Sequence, residues 1–425
     1  MDTPIVVVIG AGSYVFGPSI LYDLIMEHRM DGSEIRLVDL DEEMVEVMGR
    51  IAERFAHEAD VPVNITWTTD RKQALPDADF VVTSVAIELL KRWRMDHEII
   101  TKHGLKEYLS ECGGIGGLSY ALRSIPLILG ICRDMEELCP EAWLLNISNP
   151  LPRIMTAVRD YTSISGIGFC YVGLSGQRLV AEMLDMDIND IEFTAAGLNH
   201  FSWFTKIVHR QTGQDLYPEI RARVDSPVLA NRPLTRHYLI KYGYLAASGD
   251  SHIGEYMPFD SRYSKVLTAH HGSSEERHER LQLLRKVAEG KENWGPILKG
   301  RAWERPADFI NAISRQTSWA FDMLNVPNDG YITNLPQGAI VEVPVMVENN
   351  RVKGKSVGDL PEEVAALCQR VSSVHELVAK AAVQGDLQLA RNAISLDWAV
   401  ADKEAGFKAL DELLIMHQDV LPQFR

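Results

Sequence analysis

The sequence predicts an α/β protein: a doubly wound parallel sheet followed by a second lobe of mixed α+β structure. Three observations point there. Apolar strand-like runs alternate with amphipathic helical runs through the first half of the chain. The first run, Ile5–Ile9, opens into the glycine turn Gly10-Ala11-Gly12-Ser13. The second, Ile35–Val38, ends on Asp39.

Each element follows from its pattern. Ile5–Ile9 is apolar throughout, as a strand covered on both faces must be. Ile20, Leu21, Leu24 and Ile25 give a helix from Ser19 to about Glu27 its apolar stripe. Glu42 to about Ala56 is a long amphipathic helix, and Val63–Thr68 and Asp79–Val85 are strands. Ile125–Leu138 is helical and stops before Pro140. Trp143–Ile147 and Ile164–Phe169 are the next strands, and Cys170 sits at the end of the latter. From about Ile191 the texture changes. Phe193–Ala196 and Trp203–His209 flank a turn at His200, Ala339–Val347 is β-rich, and Glu275–Ala288, Glu362–Gln384 and Asp386–Met416 are helical. With no linker, repeat or low-complexity tract, residues 1–190 and 191–425 are read as two lobes packed directly together.

Composition narrows the function. The 425 residues carry a net charge of −16 and no basic stripe, which argues against nucleic acid. The apolar runs read as too short, or too broken by charge, to span a bilayer, and Ile5 is reached without a basic leader, so neither a membrane nor a signal peptide is expected. Cys112, Cys132, Cys139, Cys170 and Cys368 are odd in number and show no framework, which fits reduced thiols in the cytoplasm.

The glycine turn predicts a dinucleotide. Glycines after a first strand let the backbone approach a pyrophosphate at a helix N-terminus. Gly10, Ala11, Gly12 and Ser13 form that approach, and Gly17 comes later than the usual third glycine. Asp39 stands where a carboxylate accepts hydrogen bonds from ribose hydroxyls, which favours NAD over NADP and makes the first lobe Rossmann-like.

Cys170 and His200 form a second candidate site. Cys170 ends a central strand, and ligands bind beyond the carboxyl ends of such strands. A thiolate and an imidazole suit a borderline-soft divalent metal, and two protein ligands leave positions open for substrate oxygens. A buried structural thiol and a satisfied histidine are the alternative reading.

Several segments occur in one order: Gly10-Ala-Gly-Ser13, Gly113-Gly-Ile-Gly-Gly117 with Ala121–Pro126, Asn146-Ile-Ser-Asn149-Pro150, Gly168-Phe-Cys170, Gly197-Leu-Asn199-His200 and Gly249-Asp-Ser-His-Ile-Gly-Glu-Tyr256. Over roughly residues 4 to 350 the chain thereby resembles family 4 of the glycoside hydrolases, whose fold is similar to that of lactate and malate dehydrogenases. The resemblance implies hydrolysis that depends on NAD and on Mn²⁺ or another divalent metal, outside the usual two-carboxylate scheme. Hydride leaves sugar C3 for the nicotinamide, the C2 proton is removed, the glycosidic oxygen is eliminated, water adds, and the hydride returns. It implies Cys170 and His200 as metal ligands and Asn149, Asn199 and His252 as substrate contacts. Asp250 matches a carboxylate for proton transfer, Tyr242 lies near a tyrosine base, and Glu111 stands where relatives carry aspartate. Two departures touch the acid and sugar region: Tyr171 replaces the histidine that commonly follows the cysteine, and Leu109-Ser-Glu-Cys112 replaces Val-Gly-Asp-Thr.

The Gly249–Tyr256 segment most resembles the α-galacturonidase branch, although Ser251 stands where that branch has an arginine. A uronide needs a cation for its C6 carboxylate. Arg92 and Arg94 follow a strand end and are candidates, against a reading as solvated helix charges. An α-glucosidase or α-galactosidase stays open, and the phospho-glycosidase branch is disfavoured, because this sequence shows no clustered basic–serine pocket to hold a phosphate. An NAD-dependent hydroxy-acid dehydrogenase is the competitor from another class, and a non-enzymatic nucleotide sensor is a third. A homodimer or homotetramer is expected.

Overall fold

The computed structural model describes residues 3–107, 111–170, 173–262, 274–298, 304–348 and 351–425. Tyr171, Leu109 and Ser110, singled out above, lie outside them. The strands are β1 (Ile5–Ile9), β2 (Glu34–Val38), β3 (Asn64–Thr68), β4 (Phe80–Thr83), β5 (Trp143–Asn146), β6 (Gly166–Gly168), β7 (Ile191–Leu198), β8 (Phe201–His209), β9 (Trp319–Pro327), β10 (Ile340–Glu348) and β11 (Arg351–Gly354). They make one sheet in the order β3-β2-β1-β4-β5-β6-β9-β10-β7-β8, with β11 on β10. The first six strands are parallel, in the doubly wound order with its switch point between β1 and β4.

The second half does not build a separate sheet. Antiparallel β9 bonds onto β6 through Gly168 and Asn325, and β10, β7 and β8 extend from it. The helix Glu362–Gln384 packs back on the helices Gly114–Leu138 and Leu151–Tyr161 of the first half. The buried core therefore runs through both halves.

Two of the expected helices come out differently. The helix expected at Ile125 starts at Gly114, inside the glycine cluster. Glycine disfavours helix, but here carboxylates satisfy the exposed N–H groups. Asp397 accepts from the Gly114 N–H at 3.2 Å, and Glu107 accepts from those of Ile115 and Gly116 at 2.6 and 3.1 Å. That helix is long and apolar enough to cross a membrane, against the sequence expectation, yet 83% of its most apolar window is buried in the protein, as a core helix would be. The C-terminal helix splits into Leu387–Leu396 and Lys403–Met416, because Asp397 is drawn to Gly114 and Asp402 caps a new start.

Candidate active site

The turn after β1 is built as the nucleotide reading requires. Gly10 has φ +85°, and a Cβ there would stand 2.1 Å from the Ser84 carbonyl oxygen at the end of β4. The Gly10 and Ala11 N–H groups donate to the Val38 carbonyl, and the Ser13 Oγ accepts from the Phe16 N–H at 3.3 Å. Asp39 accepts from the Gly12 N–H at 2.9 Å and the Asp41 N–H at 3.1 Å, which fixes its carboxylate beside the turn. The backbone cradle and the acid at the end of β2 fit a dinucleotide.

Cys170 and His200 converge: the Cys170 Sγ lies 3.5 Å from the His200 Nε2. Cys170 follows β6. His200 is at the tip of the two-residue turn between β7 and β8, with φ +60°, an unusual conformation for a non-glycine residue. The antiparallel pairing of the second half thus delivers the imidazole to the carboxyl end of a parallel strand.

Glu255, which the sequence reading did not nominate, holds this histidine. Its Oε1 lies 3.1 Å from the His200 Nδ1. Its Oε2 accepts from the N–H groups of Glu111 (3.0 Å), Cys112 and Gly113 (3.3 Å). Gly113 is needed there, because a Cβ would meet the Glu255 carbonyl oxygen at 2.0 Å. A carboxylate behind the Nδ1–H leaves the Nε2 lone pair free for a metal. Burial lowers the His200 pKa to about 4, so the ring is neutral and suited to ligation. Burial, then the charge of Glu342, pushes the Cys170 thiol well above its ordinary range, and a metal would displace that proton. The donor chemistry fits a divalent ion.

Glu342, also unforeseen, lies fully buried behind the pair. It accepts from the Ser202 Oγ at 2.7 Å, the Asn199 Nδ2 at 3.3 Å and the Asn325 Nδ2 at 3.2 Å. Burial pushes it up to about 7. The Asn199 side chain therefore braces the sheet beneath His200, and its own Oδ1 is buried without a partner among the described residues.

The structure brings three further expected residues, Asn149, Glu111 and His252, around the pair or beside it. The Asn149 Nδ2 donates to the Glu111 Oε1 at 2.9 Å, and the Cys112 Sγ lies 3.8 Å from the Asn149 Oδ1. The His252 ring stands edge-on to His200 with centroids 4.3 Å apart, and burial, then His200, lowers its pKa to about 4. Ligand atoms of Glu111, His200 and His252 lie within 4.8 Å of one another, as do those of Cys112, His200 and Glu255. Burial, then the neighbouring Glu255, raises the Glu111 carboxyl above its ordinary value.

The remaining candidates sit differently. Asp250 accepts from the Leu234 N–H at 2.8 Å, the Thr235 N–H at 2.9 Å and the Thr235 Oγ1 at 2.5 Å, so both oxygens hold the start of the helix Pro233–Tyr242. Tyr242 ends that helix with its ring edge-on to Trp203, centroids 5.9 Å apart. Arg92 is buried and paired with Asp419 and Glu88, a structural role, and Arg94 is exposed on the helix Leu89–Lys102.

The profile of family 4 glycosyl hydrolases matches residues 5–186, and that of the family's C-terminal domain matches residues 195–400. The chain belongs to family 4 of the glycosyl hydrolases. It is 30% identical to an alpha-glucosidase of Erwinia rhapontici over 97% of each chain, and 28% identical to an alpha-galacturonidase of Bacillus subtilis over 92% of each. Among solved structures, lplD of Bacillus subtilis superposes with a TM-score of 0.85 at 26% identity, covering 97% of this chain and all of that one. A 6-phospho-alpha-glucosidase from gut microorganisms, solved in complex with NAD and Mn²⁺, superposes with a TM-score of 0.81 at 22% identity over the full length of both chains. The chain is therefore a glycoside hydrolase, and the dehydrogenase and sensor readings fall.

Proposed function

We propose that this enzyme hydrolyses α-galacturonides, using NAD and a divalent metal such as Mn²⁺. One observation carries the reading most: a thiol and a neutral imidazole meet at 3.5 Å beyond the strand ends, and Glu255 sets which imidazole nitrogen faces the thiol. Relatives named alpha-galacturonidase, and the Gly249–Tyr256 segment, support the uronide. When bound, the nicotinamide takes and returns a hydride at sugar C3, and the metal polarises the C2 and C3 oxygens.

The chain's own residues do the rest. Residues 1–190 offer the nucleotide turn, Glu111, Asn149 and Cys170, and residues 191–425 bring His200, His252 and Glu255. Asn149, tied to Glu111 and to the Leu151 N–H (3.1 Å), presents a fixed amide to the sugar. Glu111, whose half-buried carboxyl is pushed above its ordinary value by burial and then by Glu255, serves as the proton donor to the departing glycosidic oxygen. Removal of the C2 proton falls to Tyr242 rather than Asp250, because both Asp250 oxygens are committed to a helix start. Asp250 positions the segment that carries His252. The five unpaired thiols support a reducing cytoplasm.

The test is a panel of 4-nitrophenyl α- and β-glycosides and uronides with NAD, Mn²⁺ and a reductant. Release of 4-nitrophenol from the α-galacturonide ahead of its neutral and phosphorylated counterparts is expected. Release ahead of it from an α-glucoside or α-galactoside would replace the substrate, and steady NADH accumulation would overturn the hydrolytic cycle.

A further inference from the structure

The metal site lies among Glu111, Glu255 and Glu342, so an anionic sugar needs a cation to receive its charge. Ser251, between Gly249 and His252, brings no charge. Arg92 is paired with Asp419 and Glu88, and fully buried Arg153 faces His375 and Asp397.

Arg232 is different. Its half-buried guanidinium donates from Nη1 to the Ser175 Oγ at 3.3 Å. The same nitrogen lies 3.9 Å from where a Cβ on Gly249 would stand. Both neighbours belong to segments that carry the site. Ser175 is in the helix Gly173–Leu184, just past Cys170. Gly249 follows Ser248, whose Oγ donates to the His200 carbonyl at 2.8 Å, and precedes Ser251 and His252. Among the described residues Arg232 takes part in no ion pair. Its one side-chain hydrogen-bond partner among the described residues is thus a neutral hydroxyl, which leaves donors of the fork for a further acceptor.

We propose that Arg232, at the start of the helix Pro233–Tyr242 and held between the segments that follow Cys170 and precede His252, receives the C6 carboxylate of the sugar. This rests on the galacturonide reading. A forked guanidinium suits a carboxylate in two parallel hydrogen bonds, and lysine replaces it poorly. The residue acts on specificity and not on the chemistry at C2 and C3.

The experiment compares kcat/KM of wild type, Arg232→Gln and Arg232→Lys on 4-nitrophenyl α-galacturonide, α-galactoside and 6-phospho-α-glucoside. Enzymes are loaded with NAD and Mn²⁺, and thermal melts confirm folding. In Arg232→Gln the ratio of galacturonide to galactoside kcat/KM is expected to fall about 10- to 150-fold, from loss of a charge-assisted hydrogen bond, mostly through KM. Arg232→Lys is expected to recover part of it. An unchanged ratio in the Gln variant overturns the assignment while leaving the galacturonide reading standing. Equal losses on all three substrates also overturn it, in favour of a structural role. Selective loss on the 6-phospho sugar gives the cation to a phosphate and overturns the carboxylate. A wild type inert toward galacturonides but active on another glycoside removes the substrate reading itself.

Discussion

Replacing Glu255 with glutamine separates its two duties. Its Oε2 accepts three backbone N–H groups, and its Oε1 faces the His200 Nδ1 at 3.1 Å. Glutamine has one acceptor oxygen, and the three fixed N–H donors claim it. Its NH₂ group then points at the His200 Nδ1, and two donors cannot face each other. The imidazole proton moves to Nε2, the nitrogen 3.5 Å from the Cys170 Sγ, where a metal would bind. Both side chains are buried, at 2% and 0% relative exposure, so solvent offers no relief. Loss of such a supporting carboxylate costs about 10- to 100-fold in metal affinity, or about 1.4–2.8 kcal/mol. Competition for Mn²⁺ against a chromophoric chelator at fixed pH reads this directly. Glu255→Ala should also lower the melting temperature, since each orphaned N–H costs about 1–3 kcal/mol. A folded Gln variant that binds Mn²⁺ within about twofold of wild type, well inside that range, would refute the tautomer argument.

Other expectations follow from the same geometry. In Gly12→Ala the added Cβ would stand 2.8 Å from the Asp39 Oδ2, so NAD affinity should drop at least about tenfold by titration, on the order of one strained hydrogen bond. Tyr242→Phe should abolish exchange of the sugar C2 hydrogen with solvent deuterium, whereas Asp250→Asn, which keeps a capping oxygen, should retain it; the opposite pattern by NMR would exchange their roles. Burial alone would raise the pKa of Asp96, but hydrogen bonding to His417 and the charge of Arg123 outweigh it and hold the carboxyl below its ordinary value. Its folded pKa lies below the unfolded one, so this stabilisation is complete above about pH 4 and fades as pH falls through the folded value. Thermal melts of Asp96→Asn should therefore lose less stability than wild type on acidification below about pH 4, and parallel curves would contradict the cluster's role.

The parallel core was legible because its strands are apolar runs between helices, and the glycine turn and Asp39 mark their own positions. Cys170 and His200 were legible as a pair because one ends a strand and the other tips a hairpin. The partners that make them work were not. Glu255 is 55 residues from His200, and Glu342 is 140 from Ser202; only the antiparallel extension of the sheet brings them in. The Glu in Gly249–Tyr256 was part of a motif, and its spacing did not say which group it would hold. The helix start at Gly114 was hidden by its glycines, since its stabilising acids, Glu107 and Asp397, lie outside it in sequence. Asp250 and Tyr242 show the converse: a match to a pattern named the residue, but only the helix cap and the aromatic contact distinguish the environments of the two.

Anomalous diffraction at the manganese edge, from crystals grown with NAD and Mn²⁺, tests the central claim most directly. The account predicts one strong peak within bonding distance of both the Cys170 Sγ and the His200 Nε2, facing the nucleotide beyond Gly10–Ser13. A peak bound elsewhere, or a Cys170 and His200 that leave the ion uncontacted while NAD is in place, would contradict it.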